Sequence, residues 1–359
     1  MKCRVLTAMS SRAQDQELMA QIAEKYPIQR ELVLDATGSR DLALAQVLPS
    51  FGWHPWFSHQ LYDDSISDYQ HGDRDAFKVS HYQAVLTPSP VDQDFMRSLP
   101  HPQPLSKYIA QAKVYLESYP LALVGEVGLD RSFRLPSAWL PGQEDVRDSA
   151  ITPGGREGRR LSPYRVRIEH QQKVLKSQLS LAATMQRAVS VHGVQAHGTV
   201  FETLRETWKG CEREVVSKRS QKRRGDAPNS DVDRWDDTTE EEEEESEVSE
   251  AFPPRICLHS YTGPLESLKQ YLHPSVPAKI YFSFSAGISL SAMAPTKTID
   301  VIRAVPDDRL LVESDLHCAG DEMDQRLEEM ARSLCSIKGW TLEDGVCRLG
   351  KNWAEFAFG

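Results

Sequence analysis

The sequence predicts an α/β fold: repeated βα units around a largely parallel sheet, of the size that one α/β barrel occupies. Three observations predict it. Short apolar runs alternate with helical patterns along most of the 359 residues, the signature of parallel strands joined by crossover helices. A single α/β barrel routinely takes a chain of that length. Acids and histidines recur at the ends of the apolar runs, where a parallel barrel opens its working face.

In chain order the candidate strands are Cys3 to Met9, Leu48 to Trp53, Leu121 to Val127, Ala188 to Val194, Arg255 to Ser260, Lys279 to Ser285 and Arg309 to Ser314, seven in all. Between the first two, Ser11-Arg-Ala-Gln14 reads as a capping box ahead of Leu18, Met19 and Ile22. Glu169 to Arg187 carries Leu175, Leu179, Ala182 and Met185 on one stripe, as an amphipathic helix requires. Met323, Leu327, Met330, Leu334 and Ile337 repeat at spacings of four and three, so that segment is also predicted helical.

Two insertions interrupt the alternation within what is expected to be a single barrel over residues 1–359. Residues 131–163 are rich in Pro, Gly and Arg without a period and are expected to form a surface loop. Residues 209–254 hold a basic run from Lys218 to Arg224 followed by an acidic tract. Such blocks cannot bury enough apolar area to order themselves, so this segment is expected to be disordered. The basic run reads either as a nuclear address or as a solvated counter-charge to its acidic neighbour.

That tract decides how the net charge is read. Gly225 to Glu250 contains thirteen acids and one base, 1 − 13 = −12, so the remainder of the chain, whose total is −10, carries −10 + 12 = +2. Acidity confined to one segment does not describe the field at a pocket, and an anionic substrate is not excluded. The six cysteines form no CxxC pair, which fits a reducing compartment, and free thiols are expected. The N-terminal apolar run is too short for a secretory signal, and no stretch reaches the ~20 apolar residues of a membrane span. A cytoplasmic or nuclear location, with no membrane, is expected.

Five chemistry-bearing residues stand at strand ends: His54, Glu126, His192, His259 and Asp315. One histidine after a strand commonly packs in a core, and one carboxylate there commonly caps a helix. The repetition favours a site. Two imidazoles and two carboxylates, His192, His259, Glu126 and Asp315, make a donor set for a divalent ion, which lowers the pKa of bound water toward ~7 and so supports hydrolysis. Gly125 and Gly128 flank Glu126 and permit close backbone approach. Trp53, Trp56 and Phe57 around His54 read either as an aromatic shelf for a base or sugar or as packing.

At these residues the sequence resembles the TatD family of metal-dependent hydrolases within the amidohydrolase superfamily. The matching segments are Gly52-Trp-His-Pro55, Gly125-Glu-Val-Gly-Leu-Asp130, Val191-His192, Leu258-His-Ser-Tyr-Thr-Gly263, Leu310-Leu-Val-Glu-Ser-Asp315 and Asn352-Trp-Ala-Glu-Phe356. The resemblance implies a TIM-type (β/α)8 barrel with one or two ions of Zn, Mg or Mn, and phosphodiesterase activity on DNA, often exonucleolytic from 3′ to 5′. It implies that Glu126 is the bridging carboxylate, that His192 and His259 complete one metal's ligands, and that Asp315 holds the other metal or orients the water. His54 is similar to a histidine near the substrate phosphate.

Three departures accompany it. The family's first strand ends in Asp-x-His-x-His, and no His-x-His occurs here. Val194 stands where the family commonly has Arg, and Leu316 where Pro often follows the final Asp. The barrel is therefore expected to lack its first strand, leaving open edges that natural proteins cover. Either a start lies upstream of Met1 or another segment fills the gap, the one spare strand-like run being Glu31-Leu-Val-Leu-Asp35. A DNA hydrolase weakened by the missing histidines is the expected function. The alternatives are an interaction protein that binds a partner through residues 209–254, and a metal-dependent amide or ester hydrolase.

Overall fold

Seven parallel strands form the central sheet in a computed structural model that describes residues 3–30, 46–66, 73–139, 142, 147–148, 153–215, 252–289 and 295–359. They are β1 (Val5–Met9), β2 (Gln46–Phe51), β3 (Leu123–Asp130), β4 (Val189–Val194), β5 (Arg255–Leu258), β6 (Lys279–Ser285) and β7 (Leu310–Glu313). Their order in the sheet is their order in the chain. Each expected run is a strand. β2 and nearly all of β6 are buried, which is why they read as continuous apolar runs rather than alternating ones.

Helices α1 (Ala13–Lys25), α2 (Arg74–Val85), α3 (Gln93–Ser98), α4 (Leu105–Ser118), α5 (Ile168–Thr184), α6 (His197–Thr207), α7 (Leu265–Tyr271), α8 (Ala286–Ser289), α9 (Pro295–Ala304), α10 (Asp321–Lys338) and α11 (Leu342–Phe358) occupy the connections. None among the described residues is long and apolar enough to cross a membrane. Sheet order, parallel pairing and helical crossovers make this the barrel-type α/β architecture, with seven strands. Among the described residues β1 and β7 are each paired on one side only. β1 is half-buried along its whole length, as befits an edge. Helices from beyond β7 reach it: Trp353 Nε1 donates to Thr7 Oγ1 at 2.9 Å, and Cys3 N donates to Asp324 Oδ1 at 3.3 Å.

The two ends of the barrel are treated differently. Near the strand starts, Leu48, Leu123, Cys257, Tyr281 and Leu311 pack with Phe356 and Phe358 from the end of α11. Asn352 adds hydrogen bonds to the carbonyls of Asp307 and Leu310, at 2.7 and 2.9 Å. The C-terminal tail motif is therefore a plug, and the opposite mouth is left for chemistry. There the strands approach closely. A Cβ on Gly52 would lie 2.4 Å from the Gly125 carbonyl carbon, and one on Gly128, at φ +147°, would lie 2.0 Å from the His192 carbonyl oxygen. The close approach expected around Glu126 is thus made by neighbouring strands.

Three sequence expectations are corrected. The capping box is absent: α1 starts after Arg12 without a side-chain cap, because Ser11 is itself held by Asp15, whose Oδ2 accepts from the Ser11 hydroxyl at 2.5 Å and amide at 3.2 Å. Trp53 is a core residue, 1% exposed, with Nε1 donating to the Phe57 carbonyl at 2.8 Å. The described parts of 131–163 are more than a surface loop. Leu135 pairs with Ser162 and Tyr164, and Ser137 with Arg160, through backbone hydrogen bonds. Leu135 and Tyr164 enter a small second core with Tyr82, Leu86, Phe95 and Met96. The segment showed no period because its pairing is short and irregular. The run Glu31 to Asp35 and most of 209–254, from 216 to 251, lie outside the described residues.

A histidine cluster secures the 3-10 turn Pro55–Gln60. His81 Nε2 donates to the His59 carbonyl at 2.8 Å, and His170 Nε2 to the Ser58 carbonyl at 2.9 Å. Burial first, and then the positive charge neighbouring imidazoles would carry, push His59 down to about 3. Burial and His170 push His81 down to about 4, against the His59 carbonyl. Bases lowered in this way are protonated first in the unfolded chain, so their contribution to stability is lost as pH falls from about 6.5 toward 4. His81→Gln should therefore be less stable than the parent at pH 7, with a deficit that shrinks by roughly 2 kcal/mol at pH 5. Urea midpoints at the two pH values measure it, and a constant deficit would contradict it.

Candidate metal centre

Glu126 is placed by an irregularity in β3. Pairing with β4 runs Val124 to Val189 and then Val127 to Val191, so one extra residue is accommodated on β3. Such a bulge re-aims a side chain, and Glu126 lies inside a strand that continues to Asp130 rather than at its end. Its backbone N donates to the Ser10 carbonyl at 3.2 Å. His192 stands within β4, His259 directly follows β5, and Asp315 follows β7 with φ 55°. His54 follows β2 and caps the 3-10 turn, its Nδ1 accepting from Trp56 N at 3.2 Å.

These five residues meet at the open mouth. Glu126 Oε1 lies 2.9 Å from His192 Nδ1, 3.2 Å from His54 Nε2 and 3.7 Å from His259 Nε2. Asp315 Oδ1 lies 3.1 Å from His259 Nε2. Side-chain exposure rises from 4% at His54 through 19% at Glu126 to 27% at Asp315, so solvent and substrate enter on the Asp315 side.

Two carboxylates that the sequence reading assigned no role complete the centre. Asp130 Oδ2 lies 3.2 Å from His192 Nε2 and accepts from Trp56 Nε1 at 2.5 Å. Glu313 Oε2 lies 2.7 Å from His259 Nδ1, and its Oε1 accepts from Ser260 N at 2.6 Å. Each histidine thus has a carboxylate behind the nitrogen that faces away from Glu126, the arrangement that orients metal-bound imidazoles. Both acids sit inside segments already singled out. Asp130 is four residues after Glu126, and Glu313 is two before Asp315, so strand alternation was the available signal for the second.

Buried glutamines were invisible to a hydrophobic period. Gln178 of α5 accepts from Trp53 N at 2.7 Å and donates to Trp53 O at 3.2 Å, beside His54. One face of the same helix carries Gln171, which accepts from Asp130 N at 2.7 Å and donates to Asp130 O at 2.9 Å. Gln16 of α1 donates to Gly52 O at 2.7 Å. Helix side chains here complete the backbone hydrogen bonding that the strand ends give up at the mouth.

Electrostatically the centre is a set of ion pairs. Burial would raise the Glu126 carboxyl, yet His259, His54 and hydrogen bonds from His192 hold it well below the usual range. Burial would lower His192, but its bonds to Asp130 and Glu126 lift it to about 9. His259 is likewise raised, against burial, by Glu313, Glu126 and Asp315. His54 is lowered by burial.

Charged imidazoles beside a charged carboxylate stand where a cation would. His54, Glu126 and His192 offer donor atoms that all lie within 4.8 Å of one another. Nitrogen and carboxylate oxygen donors at that spread suit a divalent ion. The residues present therefore fit a metal, with His259 and Asp315 as an adjoining pair. His54, expected beside the substrate, falls in the tight donor group.

A family model described as TatD related DNase matches residues 33–352. Cut9-interacting protein scn1 of Schizosaccharomyces pombe is 37% identical over 354 residues, 98% of this chain and 90% of that protein. Uncharacterized deoxyribonuclease YMR262W of Saccharomyces cerevisiae is 28% identical over 285 residues, 79% of this chain and 70% of its own length. Among solved structures, the TatD homolog YJJV of Escherichia coli k12 matches with a TM-score of 0.50 at 14% identity, covering 99% of this chain and 86% of that one. An uncharacterized amidohydrolase from Saccharomyces cerevisiae matches with a TM-score of 0.51 at 13% identity, covering 98% and 88%. These two structural likenesses establish the fold.

Asp130→Asn removes the charge behind His192 while keeping its size. Affinity for Zn²⁺ or Mn²⁺, measured by calorimetry on the full chain, should fall about 10- to 100-fold. Unchanged affinity would mean that His192 holds no ion.

Proposed function

Because the chain belongs to the TatD-related DNase family, whose members are hydrolases acting on ester bonds, we propose that it hydrolyses phosphodiester bonds in DNA with a divalent metal. We further propose that it removes nucleotides from an end, in the 3′ to 5′ direction. The observation that carries this reading is one carboxylate, Glu126, within 3.7 Å of three imidazoles at the open mouth of a parallel sheet.

Glu126, His192 and His54 are the proposed holders of one Zn, Mg or Mn ion, with His259 and Asp315 beside them. When bound, the ion supplies a polarised phosphoryl oxygen and a hydroxide near neutral pH. The protein's own groups do the rest. Asp315, the most exposed of the five, is placed to orient the water and take its proton. Asp130 and Glu313 hold His192 and His259 in the required tautomer and orientation. With no His-x-His in the sequence, the donors present serve one ion better than two, and a slow enzyme follows.

A protein partner is a second part of the reading. The fission-yeast relative, similar over 98% of this chain, is named for an interaction with Cut9. Residues 209–254, with opposed charge blocks and Thr238, Ser246 and Ser249 among acids, are the proposed partner-binding element. Six free cysteines are consistent with action in the cytoplasm or nucleus.

Two measurements test these readings. Metal-loaded protein should shorten an oligonucleotide labelled at its 5′ end stepwise from the other end, and Glu126→Ala should lower kcat at least about a hundredfold. No cleavage with Mn²⁺, Mg²⁺ or Zn²⁺ sinks the nuclease reading. Deletion of residues 216–250 should remove partner binding and leave the rate unchanged. Loss of hydrolysis in that deletion would contradict a separate binding element.

A further inference from the structure

Trp56 is shared between the metal centre and a second cavity. Its ring lies 4.6 Å from His54 and 6.0 Å from His192, centroid to centroid. On its other side, with Phe57, Phe133 and the segment after β3, it lines a cavity with about 520 Å³ of empty space. Pockets for small ligands run from about 300 to 1,000 Å³. The floor is aromatic: Trp56 and Phe133 stack at 4.7 Å with their planes 13° apart.

Two guanidinium groups from distant parts of the chain, Arg12 and Arg159, line the same cavity. Arg12 lies over the Phe57 ring at 4.9 Å. Its neighbour Asp15 is 3.7 Å away and already accepts from Ser11. Arg159 lies over Trp139 at 5.5 Å and donates to the backbone carbonyls of Gly155, Ser137 and Arg156. The adjacent acid, Glu157, pairs with Arg147 at 2.5 Å. Gly154 and Gly155, at φ +65° and +66°, bring the chain down onto this floor. A Cβ on Gly154 would stand 2.5 Å from Phe133, and one on Gly155 would stand 3.2 Å from Arg12 Nη1. The segment from 153 to 159 therefore carries Arg159 toward Arg12.

We propose that this cavity receives one nucleotide unit of the substrate, its phosphate between Arg12 and Arg159 and its base on the aromatic floor formed by Trp56 and Phe133. Arginine pairs phosphate oxygens bidentately, and bases stack on aromatic faces in a sequence-tolerant way. The assignment rests on the phosphodiesterase reading, since a nucleotide seated there lies one ring width from His54 and Glu126. It also supplies a reason for acting at an end, because the cavity has room for about one nucleotide.

Calorimetric titration of the full chain with thymidine 5′-monophosphate, thymidine and inorganic phosphate tests it. The monophosphate should bind more tightly than either of the others. Arg12→Gln and Arg159→Gln should each weaken it about tenfold or more, with Arg159→Lys in between. Arg12→Gln leaves the backbone bonds of Arg159 in place, so it reports even if the other variant fails to fold. Glu126→Gln should keep full affinity, which separates this site from the metal reading: an inactive metal centre would leave nucleotide binding intact. Binding of the monophosphate no tighter than inorganic phosphate, or unchanged in Arg12→Gln, would overturn the proposal.

Discussion

The Glu126 carboxylate is the group around which the mouth of this protein is organised. It is charged although it is largely buried, because imidazoles from three other strand ends face it. Removing a charged group from water is unfavourable unless it is paired and hydrogen-bonded. The bulge in β3, the close approach of Gly128 to His192, and the carboxylates behind His192 and His259 all serve that pairing. Without the carboxylate, the protonated imidazoles would be like charges held together.

The second requirement is mechanical. Strand ends that turn outward to present side chains give up ladder hydrogen bonds, and their backbone groups need other partners. Gln16, Gln171 and Gln178 supply them from α1 and α5. The histidines at 81 and 170 do the same for the turn that begins at His54. A rigid sheet packed at its far end by α11 thus carries a mouth whose geometry is set by polar side chains from the surrounding helices, which is how preorganised sites are held.

All seven strands of the sheet could be read from the sequence because buried parallel strands are continuous apolar runs, and their ends were marked by His54, Glu126, His192, His259 and Asp315. What escaped had no such signal. Asp130 and Glu313 looked like parts of motifs rather than partners of histidines, since only the fold shows which nitrogen faces which oxygen. The buried glutamines broke no hydrophobic stripe. Ser11 and Gln14 matched a local capping pattern, but Asp15 competed for Ser11 and moved the helix start. The segment after Asp130 paired irregularly, so its contribution to a second core and to the Arg12 and Arg159 cavity could not be seen without the pairing partners.

Anomalous diffraction from a crystal of the full chain grown with Mn²⁺ tests the central claim most directly. The account predicts one strong peak at coordination distance, about 2.0 to 2.2 Å, from Glu126, His192 and His54, and its disappearance in a Glu126→Gln crystal. A peak that ignores Glu126, or an empty mouth in the presence of excess metal, would contradict it.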